Sequence, residues 1–464
     1  MAATAGRTRR RFLSQTAAAG MQAAAGTRAA AAVGAAVGSP LLAGSPLLAG
    51  CAGTGPVRGS ANGPLVYWAG ADPATVAAHR AHLTRTLAVA GRAVGQVVTL
   101  RVLPWQSLFT ELARAVLAGT GPDVAEIRTG WSVTLQATGG LREVDPDVLA
   151  LLGGRRRFLD APWHTAGAGG RPPSSVPVRA GVRVLLHDRA ALARARLPGP
   201  PQTWPQLQYA APTLAGAGRH VLSWAGADLD ALIDDLTLLT RQAGGQLLAG
   251  ETPRFVDAPV PQAVALRLEL GSTTWAAPAE ARVSDPEAPV RAVVAGRAVA
   301  AVVDSAALAA VLGAGPRRRS QLGVSPCPTF APDPTDPRAV PLRSLTAGTN
   351  LVVPRASARA RAAWRLVAHL TDDASQSLLD PTTGTLPVTV RAWAARTSPV
   401  DRLLHAILTG GSLPAPATVH QPELRATLGA TVHDLLAARP GAVPTTQAQL
   451  AALTAAQLAF GALP

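Results

Sequence analysis

The stretch from Pro173 to Tyr209 constrains the fold more than any other part of the chain. Val182-Arg183-Val184-Leu185-Leu186-His187 is β-branched and apolar and predicts a buried strand. Asp188 can cap a helix, and Arg189 to Leu197 supplies good helix formers behind it. Pro198-Gly199-Pro200-Pro201 stops that helix. Thr203 and Gln206 then have capping-box spacing, with Pro205 in the first helical turn, where a missing N–H costs nothing. Strand, helix, double-proline stop and capped helix make an α/β unit.

The rest of the chain repeats this alternation. Leu65 to Trp68 reads as a first strand, and a helix over 73–90 carries Val76, Leu83 and Leu87 at helical spacing. Val97 to Leu103 is a second strand, and Trp105 to Leu117 an amphipathic helix with Leu108, Leu112 and Val116 on one face and Gly119 as its stop. After Gly119-Thr120-Gly121-Pro122-Asp123-Val124 a third strand opens on Arg128-Thr129-Gly130-Trp131. Further on come Leu222-Ser223-Trp224, a helix with Leu232, Leu236 and Leu239 on its apolar side, a helix over 259–270, a buried strand ending at Asp304, and a strand over Thr346–Val353. A helix over 357–370 follows, and the C-terminal 70 or so residues read as helical with little else to mark them. With 464 residues the chain is long enough for two lobes of ordinary size.

Charge excludes little by itself. Every one of the 43 basic residues is arginine, and the formal net charge is +15. Five of those arginines fall in the first 50 residues, which hold no acid. The others are scattered apart from Arg155–Arg157 and Arg317–Arg319, whereas nucleic-acid binding wants basic residues gathered with aromatics on one face. No nucleic-acid partner is expected. The N-terminus carries Thr8-Arg9-Arg10-Arg11-Phe12-Leu13, which looks like a twin-arginine export signal, and an Ala/Gly/Leu-rich run leads from there to Leu48-Ala49-Gly50-Cys51, which resembles a lipobox. Met21 offers a second start within this segment. Residues 1–50 are read as the export signal, Cys51 as the site of lipidation, and 51–62 as a lipid-anchored tether that places the protein on the outer face of the cytoplasmic membrane. The one other cysteine, Cys327, reads as a small core or hinge residue.

Taken together, several pieces resemble one family. Pro200-Pro201-Gln202-Thr203-Trp204, the Gly-x-x-Pro-Asp-Val segment at Gly119–Val124, Gly244-Gly245, Val293 to Ala300 and Gly384-Thr385-Leu386-Pro387 stand in the order found in carbohydrate-type solute-binding proteins of bacterial ABC importers. The resemblance spans about 65–393. His187-Asp188 stands where that family has Tyr-Asn, and Ala306 where it usually has an aromatic. The resemblance implies an α/β, two-lobe periplasmic-binding-protein-like fold with a three-crossing hinge and a central cleft. Val176–Arg179 and Val324–Phe330 resemble two of the crossings. One lobe would take 63–178 with 329–382, and the other 180–326 with 386–464. It also implies a monomer that holds a small-molecule solute, a sugar, and hands it to the permease subunits of the transporter.

Motifs for catalysis are lacking: there is no Walker loop, no Gly-x-Ser-x-Gly elbow and no His/Cys cluster at metal spacing. No cofactor or metal is expected, and Asp234-Asp235 and Asp372-Asp373 read as solvated helix termini. Tryptophan is more telling, with nine Trp against two Tyr. Indole stacks on the apolar C–H faces of sugars, and an α/β cleft binds at the carboxyl ends of strands. Tyr67, Trp68, Trp131 and Trp224 sit at strand ends and Trp105 opens a helix after a strand, so these are the aromatic candidates. Arg128, Arg179 and Asp304 are the polar ones, and Trp204, Trp364 and Trp393 are assigned to packing. Three rivals stay open: a different ligand such as a glycerol phosphate, an extracytoplasmic hydrolase, and a binding protein that has lost its ligand and serves as an interaction module.

Overall fold

The computed structural model describes residues 63–72, 76–167, 170–215, 219–226, 228–272, 275, 285–330, 342–379, 385–415, 418–438 and 443–462. The export signal, the tether and Cys51 lie outside the described residues.

Two half-sheets share one strand. The first is β2 (Val98–Pro104), β1 (Leu65–Ala71), β3 (Val124–Arg128), then the late strand Ser344–Val352 and the N-terminal half of Val176–Asp188. Strands β1, β2 and β3 are parallel, so Ala71, Pro104 and Arg128 end on the same edge. The second half-sheet is the C-terminal half of Val176–Asp188 with Ala298–Asp304, His220–Ser223 and Leu322–Pro326. In chain order these strands are β4 (Val176–Asp188), β5 (His220–Ser223), β6 (Ala298–Asp304), β7 (Leu322–Pro326) and β8 (Ser344–Val352).

The 13 residues of β4 run through both halves. Val176–Val182 pair antiparallel with β8, and Arg183–Asp188 pair antiparallel with β6 and β7. Strand β8 crosses beside it, pairing with β3 through Thr349–Val352. At their closest approach only glycine fits. Gly348 has φ 134°, and a Cβ there would stand 2.1 Å from the Arg179 carbonyl.

Helices cover both faces, as a parallel sheet requires. Helix α1 (Val76–Ala93) buries Leu83 and Leu87 against Leu65 and Tyr67, together with Trp364 and Val367 of Ala360–Leu370. The opposite face takes α2 (Trp105–Leu117) through the expected Leu108, Leu112 and Val116, and then the short α3 (Ser132–Ala137) through Leu135. In the second lobe α4 (Trp204–Leu214) opens on the capping box foreseen at Thr203 and Gln206. Helices α5 (Leu229–Gln242) and α6 (Pro259–Leu270) pack Leu232, Leu236, Val260 and Val264 against Leu424, Leu428, Val432 and Phe460. Asp188 caps the helix after β4, accepting from the Ala191 amide at 3.0 Å, and the free Cys327 is fully buried, its thiol pushed up to about 12 by burial.

Two expectations meet a different arrangement. Residues 386–393 pack against the first lobe rather than the second. Leu386 exchanges both backbone hydrogen bonds with Ala180, and Val388 and Trp393 join the core of Leu152 and Phe158. Helix Pro399–Gly410 adds Leu404, Ile407 and Leu408 to a continuous core that also takes in Val303 and Leu322 of the second half-sheet. An apolar run gives no sign of which lobe it will cover, so the chain returns to the second lobe later than its composition suggests. The second correction is Asp235. It lies mid-helix on α5 and is 1% exposed, not at a solvated terminus. It falls three residues after Leu232 and four before Leu239, on the buried stripe of that helix.

Candidate cleft between the lobes

The register of β4 makes the site. Arg128 at the end of β3 lies opposite Thr349, which lies opposite Arg179 of β4. Asp304 at the end of β6 lies opposite Arg183 of β4. Four residues of strand separate Arg179 from Arg183, about 13 Å. The carboxyl ends of the two half-sheets therefore face each other across the middle of one strand.

Arg128 spans the gap. Its Nη2 donates to Asp228 Oδ2 at 3.0 Å and its Nη1 to Asp228 Oδ1 at 3.3 Å, a fork-to-fork pair. Nη1 also reaches Asp230 Oδ2 at 3.4 Å, and Asp72, just past β1, stands 3.8 Å away. Asp228 is the N-cap of α5 and accepts from the Asp230 and Ala231 amides as well. Burial raises the Asp228 carboxyl, but the Arg128 guanidinium outweighs it and holds the group below its usual range. Burial wins at Asp72, Asp230 and Asp304, all of which are raised, and it pushes Asp234 up to about 7.

Aromatic rings wall this cluster on the first-lobe side. The Arg128 guanidinium lies over the Trp105 ring at 5.1 Å, close enough for a cation–π contact. Trp105 and Phe109 meet Trp131 edge-on, at 5.7 and 5.1 Å between centroids. The Trp131 indole lies near the Asp230 carboxylate of the facing lobe and favours its charged form. In the second lobe Arg183 stands 3.2 Å from Asp235 and Arg267 stands 3.8 Å from it. Arg267 lies over Trp224 at 4.5 Å, and Trp224 stacks on Trp204. Burial pulls the Arg267 guanidinium down to about 10 despite Asp235. Among the described residues no group of three His, Cys, Asp or Glu could hold a metal ion, and no helix is long and apolar enough to cross a membrane.

A model of the bacterial extracellular solute-binding protein family matches residues 88–377. The chain belongs to that family. Among solved structures it is similar to the solute-binding protein of an ABC transporter from Thermotoga lettingae bound with α-D-tagatose, at a TM-score of 0.71 and 19% identity, over 86% of this chain and 100% of that one. It is similar to the GacH receptor of Streptomyces glaucescens, solved unliganded and with acarbose, at 0.70 and 16%, over 87% and 99%. It is also similar to UgpB from Mycobacterium tuberculosis in complex with glycerophosphocholine, at 0.69 and 20%, over 87% and 98%. Over 150 residues it is 30% identical to an uncharacterized lipoprotein in the oleD 5′ region of Streptomyces antibioticus, a match that spans 31% of each chain.

The solute-binding fold brings some candidates together and separates others. Trp105, Arg128 and Trp131 converge, and Asp304 lies opposite Arg183. Trp131 is 2% exposed, sealed by Trp105 and Phe109, so it is not the open platform its place after β3 suggests. Tyr67 points into the first lobe, where its hydroxyl donates to Glu126 at 3.0 Å. Arg179 meets the same carboxylate at 2.6 Å, and Thr349 donates to it at 2.7 Å. That knot braces the sheet behind the cleft. Trp68 lies one residue on, over the other face, with Arg101 4.8 Å from its ring. Trp224 is enclosed between Trp204 and Arg267. Missed altogether were Asp72, Asp228, Asp230, Arg183 and Arg425. Asp228 carried a readable signal, an N-cap residue four positions after a strand-end tryptophan.

Proposed function

We propose that this solute-binding protein captures a carbohydrate outside the cell and delivers it to the permease of an ABC importer, held to the cytoplasmic membrane by lipid on Cys51 and performing no chemistry itself. The observation that carries this reading is the convergence of Arg128, Trp105 and Trp131 with Asp72, Asp228 and Asp230 where the two half-sheets face each other. Carboxylates accept hydrogen bonds from hydroxyls, a guanidinium donates in a plane, and indole covers C–H faces. Sugars offer all three surfaces at once. The tagatose and acarbose named for two similar structures support the same class. Lipid anchoring is supported by the lipobox-like Leu48–Cys51 and by the lipoprotein relative. The lobes would be 63–178 with 342–410 and 180–326 with the chain from 418 onward.

A glycerophosphodiester is the second reading, favoured by the arginines at this place and by the UgpB likeness. It is the weaker one. Arg128, Arg183 and Arg425 each already face an aspartate, and an anion would also meet Asp72, Asp234 and Asp304.

Thermal unfolding with maltose, D-tagatose, ribitol and glycerophosphocholine tests this. A ligand at a hundred times its Kd stabilises the native state by about 2.7 kcal/mol. A raised midpoint with a sugar or polyol is expected. A rise with glycerophosphocholine alone would favour the second reading, and no rise with any of them would count against both.

A further inference from the structure

The segment after the second-lobe return, Thr418–Arg425, lies beyond the part of the chain that the family model matches. It nonetheless reaches the cleft. Thr134 Oγ1 of α3 donates to the Val419 and Thr418 carbonyls, 3.2 and 3.4 Å away, so the segment is fastened to the first lobe. Leu424, and Leu428 just beyond, are fully buried among α5 and α6, so it is also rooted in the second. Arg425 Nε stands 3.0 Å from Asp230 Oδ1, on the carboxylate that Arg128 also reaches.

Gln421 is the residue this mounting presents. Its amide lies against Gly130, between Arg128 and Trp131 in sequence; a Cβ on Gly130 would be 3.7 Å from Gln421 Nε2. Gln421 is 4% exposed, and its Oε1 is buried with no hydrogen-bond partner. A buried acceptor left unmade is costly, and an apolar side chain of the same shape avoids that cost. A glutamine kept only for packing would have no reason to stay. Gly130, which the amide lies against, sits in the chain turn that carries Arg128 and Trp131, the groups the solute reading assigns to the ligand.

We propose that Gln421 is a ligand-contacting residue of the cleft, its Oε1 accepting a hydrogen bond from a hydroxyl of the bound solute. This rests on the solute-binding reading above. It adds a wall to the site from a part of the chain with no recognisable motif, and it sets specificity by demanding a donor at that place.

The test is Gln421→Met, close in shape but without the acceptor, with Gln421→Ala as a second variant that leaves space instead of filling it. Two quantities are measured on each, the unfolding midpoint of the free protein and the titrated affinity for maltose, D-tagatose and ribitol. The midpoint of Gln421→Met should stay or rise, because an unmet acceptor is removed. Affinity for the best of the three probes should fall about tenfold or more in both variants. Unchanged affinity in both variants, or a midpoint several degrees lower in Gln421→Met, overturns the proposal in favour of a packing role. If the wild type binds none of the probes, the carbohydrate reading fails separately. The midpoint then decides: a drop refutes a ligand role for Gln421, and a rise supports it.

Discussion

Arg128 holds three carboxylates of two lobes in one place, so its removal has two separable effects. Arg128→Ala leaves Asp72, Asp228 and Asp230 facing each other without their shared cation. Breaking a buried pair costs ~3–5 kcal/mol, and the partial exposure of this one, 21% for the arginine side chain, brings the expectation to about 2 kcal/mol. The midpoint should fall by several degrees, and affinity should fall at least tenfold. Arg128→Lys keeps the charge but not the fork and should recover the midpoint more than the affinity. A variant with normal affinity would remove Arg128 from the site. Glu423 offers a pH test. Burial pushes its carboxyl up to about 7, against 4.5 for the free side chain. The folded protein therefore holds that proton where the unfolded chain has lost it, so stability falls as pH rises from about 4.5 to 7 and is level above. Glu423→Gln should raise the midpoint at pH 8 by a few degrees and leave it nearly unchanged at pH 4.5; equal effects at both would show the charge is irrelevant. Residues such as Arg128 and Trp131 were legible because each follows an apolar strand. Trp224 follows one too, yet its ring turns inward onto Trp204, and nothing in its spacing distinguishes the two cases. Gln421 had no local cue at all, because its surroundings are assembled from distant parts of the chain.

Among the elements, two helices were read to the residue: Trp105–Leu117, whose apolar spacing and Gly119 stop mark it, and Pro259–Leu270, which opens on a proline. Strand β4 was seen only in two pieces, a crossing at Val176–Arg179 and a strand at Val182–His187, because Gly181 and two arginines interrupt its pattern. The structure joins them, since Gly181 is the point where the strand passes Asp304: a Cβ there would come within 2.8 Å of its carboxylate. The neighbouring close approach is stricter. Gly348→Ala would press a methyl group into the Arg179 carbonyl at a backbone angle that side chains avoid. A loss of about 2–4 kcal/mol is expected from strain and displacement together, read as an earlier denaturant midpoint. An unperturbed midpoint would mean that β4 and β8 separate more easily than their packing implies.

For the whole molecule, the alternation of strands and helices and the ordered motifs pointed to two lobes, and family and fold agree. Where the chain passes between them the third time was not legible, because apolar residues such as Val388 and Trp393 can cover either lobe equally well. Two predictions belong at this scale. Cys51→Ala should move the protein from the membrane fraction to the medium; complete retention on membranes would refute the lipid anchor. Incubated with a sugar it binds, the purified protein should return that sugar unchanged. The aspartates that converge on the cleft make this worth measuring, since turnover that follows the protein through purification would make it a hydrolase.

Strand β4 also determines how such a cleft can move. A loop hinge concentrates rotation in one or two bonds, whereas here the lobes are connected through a hydrogen-bonded ribbon whose N-terminal half belongs to one and C-terminal half to the other. Strands already twist, by roughly 20–25° relative to a neighbour, and tolerate wide variation in that angle. Opening and closing can then be taken up as a few extra degrees at each residue from Arg179 to Arg183, with no ladder bond broken. A strand shared in this way would act as a torsion spring: compliant about its own axis, stiff against bending, and able to return the two lobes to the same register after every cycle.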